Sequence, residues 1–194
     1  SPMERIFVIM HSSMRPLLKQ HPILPLVTLQ KAEEALAIAD RLLKKNIRII
    51  EIGLRSDAAL KGIELLAKQR PEITVLAGTV ITPEQFQTAM DYGAKGMVSP
   101  GFRKSLHEIA TKTRLPWLPG VVTPSEIMKA LEKGYDTLKF FPANVFGGIE
   151  ALKALVPVFP QVQFCVTGGI NDRNKDEYLA FKNVIAVSGS QLAA

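Results

Sequence analysis

Several features that would point to particular protein classes are rare or missing in this sequence. One cysteine, Cys165, excludes an internal disulfide framework and fits a reducing cytoplasm, and no zinc-ligand spacing is present. No apolar run approaches the roughly 20 residues that cross a bilayer. Residues 1–13 are too short and too mixed in character for a signal peptide. These absences predict a cytoplasmic protein without a membrane partner.

The overall composition is that of a globular protein. Of the 194 residues, 47% are apolar and 22% are charged, which predicts one domain spanning residues 1–194. The formal net charge of +6 suits a phosphorylated or carboxylated substrate as well as a nucleic acid. Basic residues such as Lys44, Lys45 and Lys61 fall on predicted helix surfaces rather than among aromatic residues. We therefore predict no nucleic-acid partner.

Short, nearly continuous apolar runs alternate with longer amphipathic ones. This pattern is typical of strands in a parallel sheet that helices cover. The segments 31–46 and 124–134 have the apolar spacing of helices, and a capping-type Thr-Pro or Ser stands at the start of such segments. The eight predicted strands are 23–29, 47–54, 73–80, 95–100, 115–120, 136–142, 162–169 and 184–190.

The spacing of these strands, roughly 20 to 25 residues, predicts a (β/α)8 TIM barrel. An open doubly wound sheet is the alternative, although no Gly-x-Gly-x-x-Gly follows the first strand. Residues 1–22 are predicted to form a helical leader that caps the barrel floor, or else a loosely attached segment. The eighth helix is missing from this sequence, and we expect a closing helix beyond residue 194 because an uncovered last strand would expose apolar surface.

In such barrels the active site lies at the carboxyl ends of the strands. Glu51 and Arg55 share a strand face by the period of two, and Lys139 interrupts an otherwise apolar strand near its end. A carboxylate, a guanidinium and an amine are therefore expected at one rim. Other residues at these strand ends include Gly53, Thr79, Pro100, Phe141, Thr167, Gly168, Gly169, Ser188, Gly189 and Ser190.

This set of groups fits Schiff-base chemistry. A lysine in a low-dielectric site can act as an amine nucleophile, and a carboxylate can transfer protons during imine formation. Arg55 would hold a substrate carboxylate, and the glycine-rich turns after strands seven and eight would bind a phosphate. The alternatives are a solvated rim lysine, a structural Glu51–Arg55 ion pair and a simple tight turn. The three histidines are not at strand ends and receive no catalytic role.

The order and separation of several motifs resemble one known family. The motifs are IIEIGLRS, AGTV, MVSPGF, LPGVVTPSE, LKFFPAN, FCVTGGI and SGS, and they lie between about residues 23 and 192. The sequence resembles the 2-keto-3-deoxy-6-phosphogluconate (KDPG) aldolase family, which also includes 4-hydroxy-2-oxoglutarate (KHG) aldolases. The lysine followed by Phe-Phe-Pro, together with the downstream Thr-Gly-Gly, is the most specific element.

The resemblance implies a class I aldolase, a homotrimer without metal or cofactor, that cleaves KDPG to pyruvate and glyceraldehyde 3-phosphate. It implies that Lys139 forms the imine and that Glu51 transfers protons. Arg55 and Thr79 would bind the pyruvyl carboxylate, and Thr167 the substrate hydroxyls. The remaining substrate-binding residues that it implies are Pro100, Phe141, Gly168, Gly169, Gly189 and Ser190.

Three departures from the family pattern concern substrate preference. Gly53 stands where many members have a threonine, and Asn144 stands where a glutamate is common. Some relatives place an arginine at the end of strand one, whereas here the segment 26–28 reads Leu-Val-Thr. The alternative functions are therefore a KHG aldolase or oxaloacetate decarboxylase, and a non-catalytic ligand-binding barrel.

Overall fold

The computed structural model describes residues 11–194, in which parallel strands alternate with helices. All recorded strand pairings are parallel, so each strand carboxyl end lies at the same end of the sheet. The strands are β1 Ile23–Val27, β2 Ile49–Gly53, β3 Thr74–Gly78, β4 Gly96–Val98, β5 Trp117–Leu118, β6 Gly120–Val121, β7 Thr137–Phe140, β8 Gln163–Thr167 and β9 Val184–Gly189.

The sheet is a nearly closed barrel. Its strand order is β5-β4-β3-β2-β1-β9-β8-β7-β6, so neighbours in sequence are neighbours in space and the first strand pairs with the last. The two ends of this order, β5 and β6, are separated in the chain only by Pro119. The predicted (β/α)8 barrel is therefore confirmed, and the open doubly wound alternative is wrong.

Only the fifth of the predicted strands, 115–120, is divided in the described structure. It consists of two short pieces, of which β5 pairs with β4 and β6 pairs with β7. Pro119 lies between them, and a proline has no N–H to donate to a ladder. Its carbonyl still accepts a 2.9 Å hydrogen bond from the Lys139 N–H, so segment 117–121 bridges the barrel closure.

The helices cover the outside of this barrel. They are α1 Arg15–Gln20, α2 Glu34–Lys44, α3 Ala58–Gln69, α4 Pro83–Asp91, α5 Lys104–Thr113, α6 Pro124–Glu132, α7 Gly148–Leu155 and α8 Lys175–Leu179. The Thr-Pro starts predicted from the sequence form capping boxes: Thr82 with Gln85 begins α4, and Thr123 with Glu126 begins α6. None of the helices within residues 11–194 combines the length and hydropathy needed to span a bilayer.

Side chains alternate along the strands between two buried clusters. Outward-facing residues such as Ile50 and Ile52 pack beneath the helices with Phe86 and other apolar residues. The inward-facing cluster is smaller, and we call it the inner core: Met14, Leu18, Leu24, Ile49, Leu76, Val98, Leu118, Cys165 and Ala186. The barrel is therefore filled by side chains and is not a pore.

The short helix α1 closes the amino-terminal end of the barrel. Met14 and Leu18 are 1% and 0% exposed and belong to the inner core. Beside them, Arg15 donates hydrogen bonds of 2.8 Å to Thr137 Oγ1 and to the Asp136 carbonyl. We call Met14, Arg15, Leu18 and Thr137 the floor. The predicted leader therefore caps the barrel from residue 14 onward, whereas residues 1–10 lie outside the described part of the chain.

After β9 the chain forms a 3-10 helix over Ser190–Ala193. Leu192 within it is 6% exposed. The closing helix expected beyond residue 194 stays a prediction.

Candidate active site

The carboxyl ends of the strands carry polar side chains that point into the barrel. Glu51 on β2 and Lys139 on β7 are only 1% and 4% exposed, although both are ionisable. Thr167 on β8 and Ser188 on β9 lie at the same end and are 3% and 1% exposed. We call these four residues, together with Arg55 and Thr79, the mouth. Buried polar groups of this kind are costly unless they have partners, so their contacts decide what the mouth can do.

Glu51 is held by one hydrogen bond and leaves one oxygen free within the described structure. Ser188 Oγ donates to Glu51 Oε2 at 3.3 Å, and Oε1 has no partner among residues 11–194. Gly78, at the end of the neighbouring strand β3, is one reason that the carboxylate fits: a Cβ added to Gly78 would lie 2.1 Å from Oε1. Gly78 is therefore required by packing, and it leaves a carboxylate oxygen available to a substrate or a water.

Lys139 lies inside the barrel and not at a solvated rim. Its Nζ sits 4.7 Å from the centroid of the Phe141 ring, in a cation–π contact. On either side its register neighbours are Gly120 on β6 and Cys165 on β8. With the Lys139 side chain 4% exposed, the alternative in which its ammonium is solvated is wrong.

Pro100 lies against the strand that neighbours Lys139, and Phe141 lies beside the lysine amine. A Cβ on Gly120 would lie 2.1 Å from the Pro100 carbonyl oxygen, so that carbonyl presses against the strand next to Lys139. Phe141 is half-buried and faces the amine. Its neighbour Phe140 faces outward and packs against Phe164, with 6.0 Å between the two ring centroids. The Phe141 ring therefore shields the Lys139 amine from water, and the Phe140 ring stabilises the outward-facing apolar cluster beneath the helices.

Arg55 and Thr79 form a pair at the outer edge of the mouth. Arg55 Nε donates a 3.1 Å hydrogen bond to Thr79 Oγ1, so the Glu51–Arg55 ion pair is not the arrangement found. Thr79 has φ of 57°, a left-handed conformation that is an outlier for a β-branched residue. Strain of this kind concentrates at functional sites. Arg55 is exposed, and its guanidinium makes no other side-chain hydrogen bond within residues 11–194, so further N–H groups can bind an anion.

The turn after β8 needs its two glycines. Gly168 and Gly169 have φ of 116° and 73°, which side chains rarely adopt. Just before them, Thr167 Oγ1 is buried and has no hydrogen-bond partner among residues 11–194. The Thr167 carbonyl accepts a 2.8 Å bond from the Ala143 N–H, which ties this turn to the loop after β7.

Asn144 from the loop after β7 packs directly on this turn. A Cβ on Gly169 would lie 2.8 Å from Asn144 Nδ2, and one on Gly168 would lie 3.0 Å from Asn144 Oδ1. Gly189 at the end of β9 approaches the same turn, because its added Cβ would lie 3.3 Å from the Ile170 carbonyl. Ser190 follows it, exposed, at the start of the 3-10 helix. Neutral polar groups and backbone therefore line this corner.

The sequence-based prediction gave Ser188 and Cys165 no function in the site, and it treated Asn144 only as a departure that concerns substrate preference. Ser188 holds Glu51, Asn144 covers the glycine turn, and Cys165 lies between Lys139 and the β9 strand. Burial and, after it, the Glu51 carboxylate raise the pKa of the Cys165 thiol to about 12, so it stays a neutral thiol. The period of two in β8 and β9 could have placed Cys165 and Ser188 on the inner face.

Two of the histidines, His11 and His107, lie beside Tyr135, which precedes the amino-terminal end of β7. His107 Nδ1 is 2.8 Å from the Tyr135 hydroxyl, and His11 stacks on the Tyr135 ring at 4.0 Å between centroids. Burial lowers the pKa of both histidines, and the proximity of His107 lowers that of His11 further. Within residues 11–194 no three His, Cys, Asp or Glu side chains gather as a metal-binding group would.

The mouth combines a buried amine with a carboxylate, one of whose oxygens has no hydrogen-bond partner in the described part of the chain. Such a pair can form an imine with a carbonyl compound and move the protons that the reaction requires. The Arg55–Thr79 pair can bind a carboxylate bidentately, and the glycine turn can accept an anion through backbone N–H groups. A keto acid with a second polar group at its far end fits these positions.

Comparison with known proteins finds a matching family. The family model described as KDPG and KHG aldolase matches residues 14–194. The KHG/KDPG aldolase of Escherichia coli K12 is 39% identical over 181 residues, which are 93% of this chain and 85% of that protein. The 2-dehydro-3-deoxy-phosphogluconate aldolase of Pseudomonas aeruginosa is 40% identical over 174 residues, which are 90% of this chain and 79% of that protein.

A solved structure agrees with the fold along most of the chain. The KDPG aldolase of Legionella pneumophila, with pyruvate captured as a covalent carbinolamine intermediate, gives a TM-score of 0.89 at 42% identity. The match covers 93% of this chain and 87% of that one.

Proposed function

The chain belongs to the KDPG and KHG aldolase family, and we propose from this membership that it is a class I aldolase, a lyase that cleaves KDPG to pyruvate and glyceraldehyde 3-phosphate. The observation that carries the proposal is the buried Lys139 amine at the same barrel mouth as the half-satisfied Glu51 carboxylate. A dry amine and a carboxylate with a free oxygen are the two groups that imine chemistry needs.

The first step joins Lys139 to the substrate. The neutral amine attacks the C2 carbonyl of KDPG and forms a carbinolamine, which loses water to give an iminium ion. Glu51 delivers the proton that leaves with this water, and its free Oε1 is the oxygen we assign to the transfer. Ser188 keeps the carboxylate in place through its bond to Oε2.

The second step breaks the C3–C4 bond. The Glu51 carboxylate takes the proton of the C4 hydroxyl, C4 becomes the aldehyde carbon of glyceraldehyde 3-phosphate, and the bonding electrons pass into an enamine on Lys139. Glu51 returns the proton to C3, and water then hydrolyses the imine and releases pyruvate. Every proton that is removed is replaced, and no atom changes its oxidation state in a way that needs an external oxidant.

The other residues hold the two ends of the substrate. We assign the pyruvyl carboxylate to Arg55 and Thr79, which already form a pair at 3.1 Å. Thr167, whose hydroxyl has no partner within residues 11–194, is assigned to the substrate hydroxyls. Pro100 and Phe141 border the imine, and Gly168, Gly169, Gly189 and Ser190 are assigned to the phosphate.

A comparison of substrates tests this function. We expect pyruvate release from KDPG, measured by coupled reduction of pyruvate, with kcat/KM at least about tenfold above that for unphosphorylated 4-hydroxy-2-oxoglutarate. The Lys139→Ala variant should release none from either. Equal kcat/KM values for the two substrates would favour the KHG aldolase alternative. The E. coli relative, named KHG/KDPG aldolase, is the reason to test this alternative. Binding of pyruvate without any turnover would support a non-catalytic barrel.

We also propose that the protein is a cytoplasmic homotrimer, as the family resemblance implies. Exposed apolar side chains in the loop after β7 support self-association, since Val145 and Phe146 are 71% and 53% exposed. The single cysteine, which is buried and reduced, suits a reducing compartment. Light scattering should give a mass of three chains, and a monomer at micromolar concentration would contradict the trimer.

A further inference from the structure

Three glycines lie on inner strand faces around the mouth, and two of them are required by packing. A Cβ on Gly78 would lie 2.1 Å from Glu51 Oε1, and a Cβ on Gly120 would lie 2.1 Å from the Pro100 carbonyl oxygen. Real Cβ atoms do not approach other atoms so closely, so these two positions admit no side chain without movement of a neighbour. Both glycines make room for groups of the site itself.

Gly53 is the third, and nothing around it demands a glycine. A Cβ there would meet Thr79 Oγ1 at 3.6 Å and Arg55 Cγ and the Val27 carbonyl oxygen at 3.7 Å, which are ordinary van der Waals distances. Its φ is not left-handed, so a side chain would cause no backbone strain. The glycine therefore leaves space for at least one methyl group at the mouth.

The space at Gly53 lies beside the part of the mouth that would hold the keto acid. Gly53 follows Glu51 by two residues on β2, so both lie on the inner face, and Gly53 is the register partner of Gly78. Arg55 lies beyond the end of β2, and its Cγ would be 3.7 Å from a Cβ at position 53. Under the proposed function, Glu51 transfers the proton at C3 of the keto acid and Arg55 holds its carboxylate. A group at position 53 would lie along the edge of the keto acid that joins C1 and C3.

We propose that Gly53 sets the size of the keto acid that this aldolase accepts, and that the space beside it admits 2-oxo acids with an alkyl substituent on C3. The chain would thus act on 2-oxobutanoate, which is pyruvate with one more methyl on C3, as well as on pyruvate. This inference rests on the proposed function, because it needs the imine on Lys139. An extra methylene group that a pocket rejects typically costs about tenfold or more in kcat/KM.

Exchange of C3 protons in deuterated water, followed by NMR, tests the proposal without an aldehyde. Each exchange event forms the imine, removes a C3 proton to give the enamine and returns a deuteron, so both keto acids report on the same steps. We expect the unmodified protein to exchange 2-oxobutanoate within about tenfold of pyruvate. Gly53→Val should lower the ratio of 2-oxobutanoate to pyruvate exchange at least about tenfold, and Gly53→Ala should lower it by less.

Gly101 provides the matched control, because it lies near the same rim and an added Cβ would meet nothing within 4 Å. Gly101→Ala should leave the ratio unchanged. Two results would overturn the role of Gly53 alone. In the first, the unmodified protein exchanges the C3 protons of pyruvate but exchanges those of 2-oxobutanoate more than about tenfold more slowly. In the second, Gly53→Val leaves the ratio of the two exchange rates unchanged. Exchange of neither keto acid would overturn the proposed function and this inference with it.

Discussion

Thr137 at the floor and Thr167 at the mouth are both 3% exposed and lie on inner strand faces, but their hydroxyl groups differ in partners. Thr137 Oγ1 accepts a 2.8 Å hydrogen bond from Arg15, whereas Thr167 Oγ1 has no partner within residues 11–194. Glu51 Oε1 at the mouth is unpartnered in the same sense. Unsatisfied buried groups cost stability. The floor thus stabilises the barrel, and the mouth keeps polar groups ready for a ligand.

Among the variants that compare the floor with the mouth, the largest effect should come from the Glu51 carboxylate. Glu51→Gln keeps the size of the side chain and removes the proton-transferring group, so kcat for KDPG cleavage should fall about 10²- to 10⁴-fold. The thermal midpoint should stay within a few degrees of the unmodified protein. Glu108→Gln, on the outside of α5 and 62% exposed, is the control and should leave both unchanged. A large loss of stability with retained kcat would instead make Glu51 part of the scaffold.

The floor should show the opposite pattern. Leu18→Ala removes a fully buried side chain from the inner core, and the free energy of unfolding should fall by about 2–5 kcal/mol. Activity per folded molecule should stay within about threefold, since Leu18 lies far from the strand carboxyl ends. Leu17→Ala, at a half-buried position of the same helix, should cost less. Denaturant unfolding and active-site titration measure the two quantities, and a selective loss of kcat would break the comparison.

Asn144 offers a test of charge at the phosphate corner of the mouth. Asn144→Asp is nearly isosteric and adds a carboxylate on the glycine turn, so kcat/KM for KDPG should fall about tenfold through repulsion of the phosphate. The value for 4-hydroxy-2-oxoglutarate should fall less, because its second carboxylate carries a single negative charge and the phosphate of KDPG about two. The effect should weaken at high salt. Equal losses for both substrates would place the phosphate elsewhere.

The smallest effects come from the two threonines themselves. Thr167→Val removes a buried hydroxyl that has no partner within residues 11–194 and should raise the free energy of unfolding by about 1 kcal/mol. Thr137→Val leaves the Nε–H of Arg15 without its acceptor and should lower the free energy of unfolding by about as much. Only Thr167→Val should reduce kcat/KM for KDPG. Unfolding curves of the two variants, recorded side by side, should therefore shift in opposite directions. Shifts in the same direction would remove the distinction between floor and mouth.

Much of this barrel could be predicted from local patterns. Continuous apolar strands, the Thr-Pro helix starts and the period of two along β2 depend on neighbouring residues, and each agrees with the structure. The break at Pro119 was missed because the apolar run continues through it, although the missing N–H divides the strand. Ser188 and Asn144 depend on contacts between distant segments. Their partners, Glu51 and Gly169, cannot be assigned without the register of the sheet and the path of the loops.

The central claim is that Lys139 forms an imine with the keto acid. Borohydride added to the protein with pyruvate should reduce this imine to a stable secondary amine, which mass spectrometry would detect as an increase equal to pyruvic acid less one oxygen. We predict that the modified peptide contains Lys139 and that Lys139→Ala gains no mass, while Lys133, exposed after α6, stays unmodified. Modification at another lysine, or no modification of a protein that still cleaves KDPG, would contradict the account.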